Sequence, residues 1–173
     1  MSLRALVNPF HAYCFGTSFW YLLRGTVRAI DPATVCGWFR PPAQGGIDPN
    51  DLELYTTRVD AWGLLALSAI LLVISDAVPL PKSMTGSSLT DSSVSITAKK
   101  PYAKAVIVIT MLHHFATGCG SYQHWKLPTH RTVAMDIGVW GNVGLFALGI
   151  AALAYIGKER EVPEVVGGRK KRA

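Results

Sequence analysis

Half of the 173 residues are hydrophobic, only 16% are charged and the mean hydropathy is +0.27, values that argue against a soluble domain and suit a small polytopic membrane protein. The length holds one domain. The formal net charge of +6 is accounted for by basic residues that flank membrane spans and meet anionic headgroups, so membrane lipids are expected partners and nucleic acid is not.

Four apolar stretches, each near the ~20 residues that cross a ~30 Å hydrocarbon layer as a helix, predict an all-α fold, a polytopic four-helix membrane bundle over residues 1–156 with a cytosolic basic tail over 157–173. The first stretch runs from Ala5 to Leu23, with Asn8, Pro9 and His11 at its start and Arg24 cutting it off. Its core is broken by polar groups and no small-x-small cleavage pattern follows, which favours a retained span over a signal peptide. Residues 24–60 form a lumenal loop, dense in Pro, Gly and Asp, expected as turns and extended chain. Trp38 and Phe39 are placed at the headgroup level.

The second span covers Ala61 to Leu80, with Asp76 near its cytosolic end. The Ser/Thr-rich cytosolic loop 81–101 is too polar to bury a face and is expected to be disordered or phosphorylatable.

The third span, Tyr102 to Tyr122, could carry chemistry. At about 100° per residue, Thr110, His113, His114, Thr117, Ser121 and His124 gather on one helix face. An ionisable group at the middle of a membrane is a candidate site. His113 and His114 are therefore read in two ways, as neutral groups that hold the bundle together or as a general acid or base. At the lumenal ends of the spans Arg24, Arg58, Asp60, His124 and Asp136 share one depth, and Arg58 or Arg24 is the expected partner of Asp136. In the acid–base reading Asp60 or Asp136 orients an imidazole or protonates a substrate.

The fourth span, Val133 to Ile156, carries Gly138, Gly141, Gly144 and Gly149, small residues that let helices approach closely. Cys14 and Cys119 fall within spans and are expected to be buried, while Cys36 lies in the lumenal loop. No C-x-x-C spacing or other metal motif occurs, and no cofactor is expected.

Four spans put both termini on one side. Eleven of the 17 lysines and arginines fall on that side or in the loop 81–101, and six on the other, so the termini are expected in the cytosol. Lys170 and Lys171 then have the spacing of a dilysine signal read by the coat machinery that retrieves proteins to the endoplasmic reticulum.

Over most of its length the chain resembles the small four-span endoplasmic-reticulum proteins that scaffold sterol biosynthesis (ergosterol biosynthetic protein 28-like). The similarity rests on Asn8 with an aromatic stretch after it, Thr57-Arg58 followed by Trp62, His114-Phe115, and the tail KEREVPEVVGGRKKRA. It departs where Arg58 is followed by Val-Asp-Ala-Trp, one residue short of the family spacing, and where no glutamate follows Phe115. These departures imply a diverged relative. The resemblance implies a non-catalytic scaffold for membrane-bound enzymes of sterol, isoprenoid or related lipophilic-metabolite biosynthesis. The alternative from the residues is a cofactor-free membrane cyclase, isomerase or hydrolase that uses His113, His114, Asp60 and Asp136.

Overall fold

The computed structural model describes residues 6–75 and 92–158. Asp76, the Ser/Thr-rich segment up to residue 91, and Lys170 and Lys171, the expected retrieval signal, lie outside the described residues. Within them the chain forms α1 (Pro9–Ile30), α2 (Pro32–Phe39), a 3-10 turn (Pro42–Gln44), α3 (Asp51–Ile74), α4 (Ser92–Trp125) and α5 (Val133–Lys158). No described residue is in a strand. The fold is all-α.

The polar residues at the start of the first apolar stretch make its cap. The Asn8 side chain accepts from the His11 amide at 3.0 Å and Pro9 takes the first helical position, where its missing N–H costs nothing. His11 is itself buried, and its Nε2 meets the Ser75 carbonyl at 3.1 Å.

Two expectations are corrected here. Arg24 does not end the first helix, which continues to Ile30 because Arg24 and Arg28 belong to its inward stripe with Thr17 and Tyr21, at helical spacing. Residues 24–60 are also largely helical rather than extended. Asp31 caps α2, with Pro32 at its first position. Asn50 and Glu53 form a reciprocal capping box that starts α3 well before Ala61. The same kind of correction applies to the loop 81–101, since α4 already begins at Ser92 and carries Pro101 inside it.

α1 packs on α3 and α5, and α5 on α4, whereas α3 and α4 touch only sparingly. The short α2 lies across one end of the bundle against α3, α1 and α5. Glycines set the close contacts. A methyl group at Gly25 would lie 2.9 Å from Leu65 Cγ and 3.1 Å from the Ala61 carbonyl, and one at Gly149 would lie 2.5 Å from Met111 Cγ. Gly138 faces Ser121 and Gly141 faces Trp20, but Gly144 meets nothing within 4 Å. Three of the four glycines in the last span thus face neighbouring helices, and the fourth faces outward.

The distribution of polarity is inverted relative to a water-soluble bundle. Phe19, Trp62, Leu112, Phe115 and Trp140 are each at least 60% exposed, while Ser18, Ser68, Thr110, His114 and Asn142 are no more than 2% exposed. α3 and α5 are long and apolar enough to cross a membrane, and only 22% of the apolar window of each is buried inside the fold. A core helix of a soluble protein would bury most of such a window. Two apolar helices with outward-facing surface point to membrane association.

Candidate functional site

The interior holds its polar groups in layers. Between α1 and α3 the Ser18 and Ser68 hydroxyls lie 2.8 Å apart, each also within reach of the other's carbonyl at 3.1 and 2.9 Å, so their two protons are shared among these contacts. Across the bundle the Tyr13 hydroxyl meets Thr110 Oγ1 at 2.7 Å.

The next layer centres on His114. Asn142 Nδ2 donates to the Gly138 carbonyl at 2.6 Å, which turns Asn142 Oδ1 toward α4. There the oxygen accepts from Thr117 Oγ1 at 3.1 Å and from His114 Nδ1 at 2.9 Å. The imidazole proton therefore sits on Nδ1, which leaves Nε2 to accept from the Tyr21 hydroxyl at 3.3 Å. The Tyr21 ring stacks on His114 with centroids 5.2 Å apart. Every polar atom of this imidazole is engaged by a neutral partner. Such a histidine is a structural linker of α1, α4 and α5.

His113, one residue earlier, is treated differently. Its ring stands edge-on to Tyr21 at 5.3 Å, but its Nε2 is buried with no hydrogen-bond partner. It feels the charges of Arg24 and Asp60. Arg24 lies over the Trp20 ring at 5.6 Å, and both its Nη1 and the Trp20 indole nitrogen are buried without partners.

The remaining candidates sit toward the end covered by α2. Asp60 pairs with Arg28 Nε at 2.9 Å. Asp136 accepts from Trp125 Nε1 at 2.5 Å and pairs with Arg131 at 3.2 Å. Its partner is thus a residue of the α4–α5 connection and not Arg58 or Arg24, because Arg131 is only five residues away while Arg58 is exposed on α3. Exposed His124 stacks on His130 at 5.8 Å. Asp60, Arg28, His124, His130 and Cys36 line an end cavity of about 590 Å³. Cys36 Sγ meets Thr57 Oγ1 there at 3.4 Å. Trp38 is half-exposed, and Phe39 lies under the Arg28 guanidinium at 5.6 Å.

A second cavity of about 520 Å³ opens between α4 and α5, with His114 and Asn142 at its floor and Phe115, Cys119, Val143 and Phe146 among its apolar walls. Cys119 is exposed in this groove, a correction to its expected burial; only Cys14 of the two cysteines in the apolar stretches is buried. It stands one turn beyond Phe115 on the outward side of α4, where no neighbouring helix covers it.

The structure therefore unites His114 with Tyr21, Asn142 and Thr117, and Arg24 with His113 and Trp20. It brings neither Asp60 nor Asp136 into a hydrogen bond with an imidazole among the described residues. Tyr13, Tyr21 and Asn142 were missed from the sequence. Tyr13, Thr17, Tyr21, Arg24 and Arg28 recur at helical spacing on α1, and that stripe was the available signal.

Comparison with curated proteins and with solved structures gave no match. A family model does match residues 13–172, nearly the whole chain, and by it the protein belongs to the family described as domain of unknown function (DUF8792).

Proposed function

We propose that this chain is a polytopic endoplasmic-reticulum membrane protein in which α1, α3, α4 and α5 each cross the bilayer, with both termini in the cytosol, and that it serves as a non-catalytic assembly partner for membrane-bound enzymes of sterol, isoprenoid or related lipophilic-metabolite biosynthesis. The observation that carries the assembly role is the outward face of α5. Gly144, Ala147, Ala151 and Ala154 are all exposed, and among the described residues nothing approaches Gly144 within 4 Å. The glycines used by the bundle itself are closed against α1 and α4. A small-residue face left open on a membrane helix suits close packing of a helix from another protein, and gathering sequential enzymes raises their local concentration. The resemblance to the sterol scaffolds supplies the pathway class and the compartment.

The test is Gly144→Leu combined with Ala151→Leu in the tagged full chain. The variant should keep its unfolding temperature in detergent and lose co-purification of enzymes that act on lipophilic intermediates. Undiminished recovery of those enzymes would sink the assembly role.

A second reading, a cofactor-free enzyme, is favoured by the unpartnered Nε2 of His113. Product formed per folded molecule in His113→Gln, His114→Gln, Asp60→Asn and Asp136→Asn separates the two. Loss of an acid or base removes roughly 10²- to 10⁴-fold in rate, whereas the assembly role predicts less than a ~10-fold change in all four.

A further inference from the structure

Buried polar groups in folded proteins nearly always have partners, and each exception calls for an explanation. Among the described residues there are four such exceptions, Thr17 Oγ1, Trp20 Nε1, Arg24 Nη1 and His113 Nε2, and the last three belong to Arg24 and to its neighbours on α1 and α4. The guanidinium and the indole can only donate, and a neutral imidazole donates from Nε2 when its proton sits there. Arg24 and Trp20 lack an acceptor, and His113 lacks one too in the tautomer with its proton on Nε2.

The charge of the layer points the same way. Arg24 has Arg28 and Asp60 as its charged neighbours, and Asp60 is already bonded to Arg28 at 2.9 Å. Two cations share one carboxylate, so one positive charge remains uncompensated in a half-buried position. A cation inside a membrane bundle is costly without a counter-charge. Tyr21, the other polar neighbour, has its hydroxyl engaged by His114 and the Thr110 carbonyl.

Access is also present. α3 and α4 touch only sparingly, unlike the closely packed pairs α1–α3, α1–α5 and α4–α5. His113 is displaced by about 100° from His114 around α4, away from the side where His114 bonds to α5.

We propose that Arg24 and His113, with Trp20 beside them, form a binding site for an anionic oxygen head, a carboxylate or phosphate, entering between α3 and α4. Arg24 supplies the counter-charge and His113 Nε2–H a second donor, a pairing that makes charge-assisted bonds. The head belongs either to an acidic amphiphile whose tail stays in the bilayer or to a free anion. The site rests on the membrane-embedded reading and is independent of the assembly role.

The experiment uses the full chain in a neutral maltoside detergent, titrated separately with oleate, lysophosphatidate, oleyl alcohol and inorganic phosphate, with thermal unfolding and tryptophan fluorescence as readouts. Either acidic amphiphile should bind at least roughly tenfold more tightly than the alcohol, the affinity counterpart of one charge-assisted hydrogen bond. If phosphate binds as tightly as lysophosphatidate the site is kept and the source is a soluble anion; if it binds more weakly, the source is the amphiphile. Arg24→Gln and His113→Phe should each abolish the preference for acid over alcohol, while the α5 variant Gly144→Leu should retain it. Equal binding of acid and alcohol, or an acid preference that survives in both Arg24→Gln and His113→Phe, would overturn the site. Failure here would leave the co-purification result untouched, so the two proposals fail separately.

Discussion

His113 and His114 are adjacent on one helix, yet the bundle treats them as members of two different regions. The His114 layer is closed: both ring nitrogens of the imidazole have partners, in Tyr21 and Asn142, and Thr117 and the Gly138 carbonyl engage the rest of the Asn142 amide. The Arg24–His113 layer is open, with donors that have no acceptor and a guanidinium that has no carboxylate of its own. A satisfied network adds rigidity and specifies helix register. An unsatisfied one costs stability and calls for an explanation. The difference between the layers separates architecture from candidate function, which residue type alone does not do.

The comparison can be broken most forcefully at the close α4–α5 contact two turns along α5 from Asn142. Gly149→Ala places a methyl 2.5 Å from Met111 Cγ and 3.0 Å from Tyr13 Cε2, and overpacking of this kind should cost about 2–3 kcal/mol. Gly144→Ala, which meets nothing within 4 Å, serves as the matched control and should leave unfolding in detergent unchanged. Equal effects would mean that the two faces of α5 are not distinct.

Next in size is Asn142→Leu, which removes the acceptor shared by His114 and Thr117. His114 Nδ1 loses its partner while Thr117 keeps the His113 carbonyl at 2.8 Å, and a loss of about 1–2 kcal/mol is expected. Chemical denaturation should show it, and a neutral outcome would demote this layer from architecture.

Asp60→Asn sharpens the contrast from the other side. It leaves Arg24 and Arg28 without a counter-charge, but the Asp60 side chain is 52% exposed, so solvent screening limits the cost to about 1 kcal/mol. In an Arg24→Gln background the cost should shrink, because only one cation then remains. A cost unaltered by that background would show that the two arginines do not share the carboxylate.

Arg24→Gln alone should change stability by less than ~0.5 kcal/mol in the absence of ligand, since it removes an uncompensated charge together with its contact over Trp20. A large destabilisation would place Arg24 with the structural groups and close the distinction.

The smallest effect lies outside both layers. The Asp31 carboxyl is held below its ordinary range by hydrogen bonds from the Thr34 side chain and backbone. A carboxyl with a depressed folded-state pKa contributes stability above its unfolded pKa of about 3.9, and that contribution is lost as pH falls through the folded value. Asp31→Ala should flatten the acid limb of a stability–pH profile slightly, and an unchanged limb would remove the cap from the account.

Much of the architecture was legible because it follows from local rules. Apolar runs of span length located α3, α4 and α5, and three of the four glycines in the last run were read correctly as contact residues. The extent of α1 was not, because Arg24 in a window of apolar residues reads as an end, whereas the fold keeps it inside the helix on the inward stripe, over the Trp20 ring. The helical content of residues 24–60 was missed although two capping signatures, Asp31-Pro32 and Asn50 with Glu53, were present.

The amino-acid sequence by itself pointed toward membrane association, through hydrophobicity and length, and set the local starts of helices, through caps and prolines. It also placed the polar stripe on α4, because helical periodicity is a property of a single segment. The tertiary structure alone decided which polar groups are satisfied. His113 and His114 carry the same chemistry on the same helix, and the opposite fates of their ring nitrogens depend on Tyr21 and Asn142, brought from α1 and α5 by packing. Hydrogen-bond satisfaction is a property of pairs distant in sequence, and only the packed bundle brings those pairs within reach.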